Sequence, residues 1–218
     1  MINLDYFDSN LVKKLDNEKV FISEDQRRNQ KFIMNLDIMF EDYQSVYQLV
    51  ENGDEKTKIK FLSLKQFPDG VFIKEVNENE YEIVVIELKK TATSHLRKIP
   101  KQLHSGILNA VSLLNLSVIG FPNNSPQIQQ KEINIRYKLY VGAVEHGETK
   151  SVGKGLTAPK FIPGRILESS NEKQLYDNNK VSYKDKGKTI EFCIEKLRFI
   201  ENSLNYTDYE NYICEAII

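Results

Sequence analysis

The chain has 218 residues, 30 Lys and Arg against 31 Asp and Glu, and a formal charge of −1. With 40% hydrophobic and 28% charged residues it reads as a folded globular chain, not a disordered one, and no apolar run approaches the ~18 residues of a spanning helix. Cys193 and Cys214 alone make neither a disulfide framework nor a zinc-ligand spacing, and the start MINLDYFDSN lacks a signal peptide's basic and apolar regions. The expectation is one reduced, cytoplasmic domain over residues 1–218, with no membrane partner.

The charge is unevenly placed. Residues 1–88 carry 11 basic and 18 acidic side chains, residues 89–188 carry 17 and 7, and residues 189–218 carry 2 and 6. No carboxylate occurs between Thr91 and Gln130. Such a block sets up a local positive field in a neutral chain; a face that only solubilises is the plainer reading.

Ser23 followed by Glu24, Asp25 and Gln26 reads as a helix cap with acids in the first turn. Phe32, Leu36, Met39, Tyr43, Val46 and Val50 then step by three and four, with Ile33, Phe40 and Tyr47 widening the stripe. This predicts a helix from about residue 24 to Glu51, stopped by Asn52-Gly53-Asp54. Lys58–Leu64 alternates as a first strand, Val71–Val76 as a second and Tyr81–Lys89 as a third. The polar link Asn77–Glu80 makes the last two an antiparallel hairpin. The uninterrupted apolar run Ile83–Ile86 makes the third strand central and covered on both faces. Pro100 suits a helix start, and Leu103, Ile107, Ala110, Val111 and Leu114 mark a helix over about Lys101–Leu116. Ile133–Ala143 reads as a fourth strand, Ser151–Lys188 as loops with short strands, and Thr189–Leu204 as a closing helix burying Ile190, Cys193, Ile194, Leu197 and Ile200. The fold class is α/β, a mixed central sheet flanked by helices in the order α-β-β-β-α-β.

The central strand ends in Glu87-Leu88-Lys89, which puts Glu87 and Lys89 on one face. Burying charges there costs several kcal/mol each unless they are paired or bind a metal. Pro68-Asp69-Gly70 opens the partner strand, so the hairpin sets Asp69 beside both. Two carboxylates and a lysine in one place suit metal-assisted hydrolysis of a phosphodiester. Carboxylate oxygens hold Mg²⁺, and the lysine orients the attacking water or a phosphate oxygen. A surface Glu/Lys pair is the plain alternative, with little energy in it.

Pro68-Asp69, seventeen residues, then Glu87-Leu88-Lys89 resembles the PD-(D/E)XK motif of restriction-endonuclease-like nucleases. The expected element order over about residues 24–143 is similar to that superfamily's core, with 144–218 as an elaboration. The resemblance implies cleavage of DNA, less often RNA, with Mg²⁺ or Mn²⁺ held by Asp69 and Glu87 and Lys89 as the catalytic lysine. It also implies a carboxylate from the first helix, for which Glu24 and Glu41 are the candidates. Counting back along the helix at ~1.5 Å per residue against a strand of about 33 Å favours Glu24. Glu41 lies opposite the apolar stripe; capping is the other role open to Glu24.

Gln102 stands where related nucleases often carry a polar residue at the site, with Lys101 as its alternative. His95 and His104 read as solvated or core histidines. Lys154, Lys160 and Arg165, in glycine-containing basic loops, are candidate contacts to a nucleic-acid backbone or plain surface residues. Tyr137, Tyr140, Tyr176 and Tyr183 can stack on bases, but packing is the commoner role in strands. Three functions compete: a Mg²⁺-dependent nuclease of restriction, repair or phage-defence type, acting as a homodimer if it cuts both strands; an inactive nucleic-acid-binding module; and an inhibitor-like interaction protein.

Overall fold

The apolar run Ile83–Ile86 forms the middle of a sheet, as its composition requires. A computed structural model describes Ile2, Leu4 and residues 7–16, 19–26, 32–50, 66–118, 132–146, 165–202 and 210–218, with backbone only at 25–26 and 165–170. In chain order the strands are β1 (Val12–Leu15), β2 (Lys19–Gln26), β3 (Phe32–Met39), β4 (Ser45–Leu49), β5 (Gly70–Asn77), β6 (Glu80–Thr91), β7 (Asn134–Glu145), β8 (Lys180–Asp185), β9 (Lys188–Cys193), β10 (Glu195–Arg198), β11 (Ile200–Glu201) and β12 (Glu210–Ile217). The helices are α1 (Ile99–Val118) and α2 (Arg165–Asp177). A six-stranded mixed sheet runs β1-β4-β5-β6-β7-β10, and a four-stranded sheet runs β11-β12-β3-β2. Among the described residues, β8 and β9 pair only with each other. Among the described residues, no helix is long and apolar enough to cross a membrane.

The side-chain alternation of β6 builds both cores. Ile83 and Val85 pack with Leu103, Ala110 and Leu114 of α1. Val84, Ile86 and Leu88 pack with Met34, Leu36 and Ile38 of β3. The layers are therefore helices, large sheet, small sheet. Each fully buried branched side chain contributes ~1.5–3 kcal/mol. β5 and β6 pair antiparallel, and α1 carries the chain across to β7, which runs parallel to β6.

Two expected helices are strands. The described residues between 24 and 50 form no helix: β3, β4 and the end of β2 lie there. Phe32, Met34, Leu36 and Ile38 are buried and their neighbours are not, a period of two. The three-and-four stepping was available only because Ile33 and Met39 are apolar as well, so both periods fit. Asp42, at φ 53, turns β3 into β4 in a conformation no helix contains. In the described part of the closing helix expected over Thr189–Leu204, β9, β10 and β11 stand instead, leaving Cys193 and Ile200 exposed while Ile194 is buried. The expected first strand at Lys58–Leu64 lies outside the described residues, and β4 supplies the strand beside β5.

α1 comes close to the sheet because residue 106 is glycine. A Cβ there would lie 2.7 Å from Val85 Cγ1, 2.9 Å from Pro68 Cγ and 3.2 Å from Val71 Cγ2. Gly106→Ala is expected to cost about 1–3 kcal/mol by overpacking, read as a lower urea midpoint at unchanged slope. Because Pro68 is one of the atoms displaced, the change also disturbs Asp69.

Candidate active site

The β5–β6 register fixes the site. Gly70 pairs with Ile86, so Asp69 arrives beside Glu87. Asp69 Oδ2 accepts the Leu88 backbone N–H at 2.6 Å. Glu87, with Ile83 and Val85, is on the α1 side of β6 and is fully buried. Glu24 comes from the other layer. Val20 and Ile22 of β2 point into the inter-sheet core, and Glu24 continues their face. Lys89 joins the group: Nζ is ion-paired with Glu87, lies 3.7 Å from Glu24 Oε1 and 3.9 Å from Asp69 Oδ2, and is nearly buried.

Among the described residues, the ion pairs of Lys89 are unbalanced. Three carboxylates share the ammonium of Lys89. At the other end of β6 the ratio is reversed: Glu82 pairs with Lys74 at 3.0 Å and with Lys138 at 3.4 Å. Burial, chiefly, and then repulsion by Asp69 push the Glu87 carboxyl up to about 8, against the pull of Lys89. Burial likewise raises Glu24 to about 7, with Lys89 opposing and Asp69 adding. Burial alone would lower Lys89, but Glu87, Asp69 and Glu24 outweigh it and hold it above its ordinary value. Oε2 of both Glu24 and Glu87 is buried without a hydrogen-bond partner among the described residues.

Hard carboxylate oxygens without a hydrogen-bond partner among the described residues are donors of the kind Mg²⁺ takes, and it needs only one or two carboxylates besides water and phosphate. Among the described residues, no three His, Cys, Asp or Glu form a metal-holding group. Asp69, Glu87 and Glu24 are gathered around Lys89. Asp69 and Glu87 supply two carboxylates beside Lys89, and Glu24 lies 3.7 Å from its Nζ.

Gln102 stands one turn before Gly106, on the helix face that meets Pro68, and its Oε1 is buried without a partner among the described residues. Lys101 is exposed. Glu41 is exposed and follows the far end of β3, which places it away from the site. His104 bonds the Tyr183 hydroxyl through Nδ1 at 2.5 Å, so it packs. His95 is half-buried, its pKa lowered by burial and by Lys89 and Lys98. Tyr140, Tyr176 and Tyr183 are buried, while Tyr137 is exposed. Lys154 and Lys160 lie outside the described residues, and Arg165 is described only as the first residue of α2.

Glu24 reaches the site on a strand, not on a helix. The signal was present in Val20-Phe-Ile-Ser-Glu24, whose period of two puts Val20, Ile22 and Glu24 on one face. No protein-family model, curated protein or solved structure matches the chain.

Proposed function

We propose that the chain is a divalent-metal-dependent nuclease that hydrolyses phosphodiester bonds, in DNA before RNA, and that it belongs with the PD-(D/E)XK nucleases. The observation that carries this reading is a fully buried Glu87 with an oxygen that has no hydrogen-bond partner among the described residues, in a cluster with Asp69, Glu24 and Lys89. The order β4-β5-β6-α1-β7 supports the family reading. The absence of a helix from residues 24–26 and 32–50 is its main departure from the family's pattern.

Asp69 and Glu87 would hold Mg²⁺ or Mn²⁺, which when bound supplies a more acidic water and positive charge at the phosphate. Lys89 is placed to hold a phosphate oxygen or orient the water as its oxygen bonds to phosphorus and one P–O ester bond breaks. Its ammonium opposes the negative charge that grows on the phosphoryl oxygens. Glu24 restrains Lys89 from the second sheet. A buried setting strengthens each of these interactions over its value in water.

The test is to incubate the purified chain with plasmid and with single-stranded DNA and RNA, in Mg²⁺, in Mn²⁺ and in EDTA. Cleavage is expected with metal and none with EDTA. Binding without cleavage under any divalent ion would replace this reading with that of an inactive binding module.

A further inference from the structure

The β8–β9 hairpin has a face that the site does not use. Its inner side is occupied: Val181 and Tyr183 are buried, and His104 of α1 packs against the rings of Tyr183 and Phe192 at 5.9 Å and 5.5 Å between centroids. The hairpin is therefore mounted on the helix that follows the lysine-bearing strand. Its tip points away from this packing. Residues 184–189 are all exposed, and a Cβ added at Gly187 would meet nothing within 4 Å.

The tip is short and stiff. Asp185 pairs with Lys188, leaving Lys186 and Gly187 as a two-residue loop with φ of 46° and 82°. Positive φ at both positions is the pattern of a type I′ turn, which prefers Asn or Asp before Gly. Lysine in that left-handed conformation costs about 1–2 kcal/mol. Lys186 thus stands at a position that this turn type gives more readily to Asn or Asp. Lys184, Lys186 and Lys188 surround the turn, with Asp185 as the one acid in residues 184–188. Lys180, at the base, is paired with Glu191 at 2.8 Å. Among the described residues, none of the three tip lysines has an ion-pair partner.

We propose that this tip is a DNA-backbone-binding arm, in which Lys184, Lys186 and Lys188 contact phosphates away from the cleavage site. Point charges on flexible stems at a fixed turn bind phosphate without reading sequence. The proposal rests on the nuclease reading for the identity of the polyanion. Lysines that merely keep an edge strand from pairing with other chains would act equally well with either sign of charge, and this separates the two roles.

The full-length chain is titrated in EDTA against a fluorescein-labelled duplex and a labelled single strand at several KCl concentrations, with fluorescence anisotropy as the readout. Replacing the three tip lysines by alanine is expected to weaken binding roughly ten-fold or more, and to flatten the slope of log affinity against log salt by about 2–3. Three arginines should retain both quantities, Lys184→Glu alone should weaken binding, and Lys180→Ala should change little. Unaltered affinity and slope in the alanine variant, while the unsubstituted chain binds, would overturn the arm and leave the nuclease reading standing. Failure of the unsubstituted chain to bind either probe would also overturn it, and metal-dependent cleavage, assayed separately, decides the nuclease reading itself.

Discussion

Glu87→Gln is expected to give a chain that is inactive and more stable than the original when both are held in EDTA. Glutamine has the shape of the protonated acid and carries no charge into a fully buried position. Glu87 is pushed up to about 8 from 4.5, so its ionised form is strongly disfavoured in the fold. Removing that burden should stabilise by about 1–3 kcal/mol at pH 8 after allowing for the lost pairing with Lys89. For a chain of this size that is a rise in Tm of roughly 5 °C. Cleavage in Mg²⁺ should fall by at least ~10²-fold, because a carboxylate donor is gone. Adding Mg²⁺ should raise the Tm of the original chain and not that of the variant. A purely structural ion pair predicts the opposite sign, since breaking one partner of a buried pair destabilises. A lower Tm for Glu87→Gln in EDTA would therefore sink the site assignment.

Lys89→Ala is expected to lower cleavage by about 10²–10³-fold and to destabilise in a way that depends on pH. Glu24 and Glu87 have folded-state pKa values raised to about 7 and about 8. A carboxyl whose pKa is raised on folding binds more protons folded than unfolded. Its favourable contribution is present below 4.5 and is lost as the pH climbs through the folded value. The contribution of these two groups thus declines from about pH 4.5 to about 8. Without Lys89 the carboxylates lose their shared ammonium and the decline steepens. Urea melts in EDTA should show a cost of about 3–5 kcal/mol near pH 8.5 and little near pH 5.5. An equal cost at both values would mean that Lys89 acts through packing alone. In the Glu87→Gln chain the same pH series should be flatter than in the original.

Local features of the site were legible before the structure. The hairpin that joins Asp69 to Glu87 and Lys89 needs only a polar link between two strands, and α1 follows from one strong apolar face. The second sheet was not legible. Its strands, β2, β3, β11 and β12, come from opposite parts of the chain, with Asn35 bonded to Asn211 across 176 positions. No window of sequence contains that partner. Within its own window Phe32–Met39 carries apolar residues at both odd and even positions, and only burial shows which period is real. The distance argument that favoured Glu24 assumed a helix, and Glu24 instead reaches Lys89 on β2. The approach of Glu24 to Lys89 could not be read locally, since it depends on β2 of one sheet packing over the end of β6 in the other.

β3 lies between β2 and β12 and pairs with β12 over its whole length, from Phe32 with Glu210 to Met39 with Ile217. Synthesis runs from the first residue to the last, so β2 and β3 leave the ribosome long before β12 exists to flank them. Until then β3 exposes an unpaired edge, and the layer that carries Glu24 is a two-stranded ribbon, marginal by itself. Such distant pairing is slow to form. The hairpin bearing Asp69, Glu87 and Lys89 can fold early, but its fourth charged residue is secured only when translation has passed Ile217. An activity that depends on all four would therefore wait for β12, and the delay would be set by chain order alone.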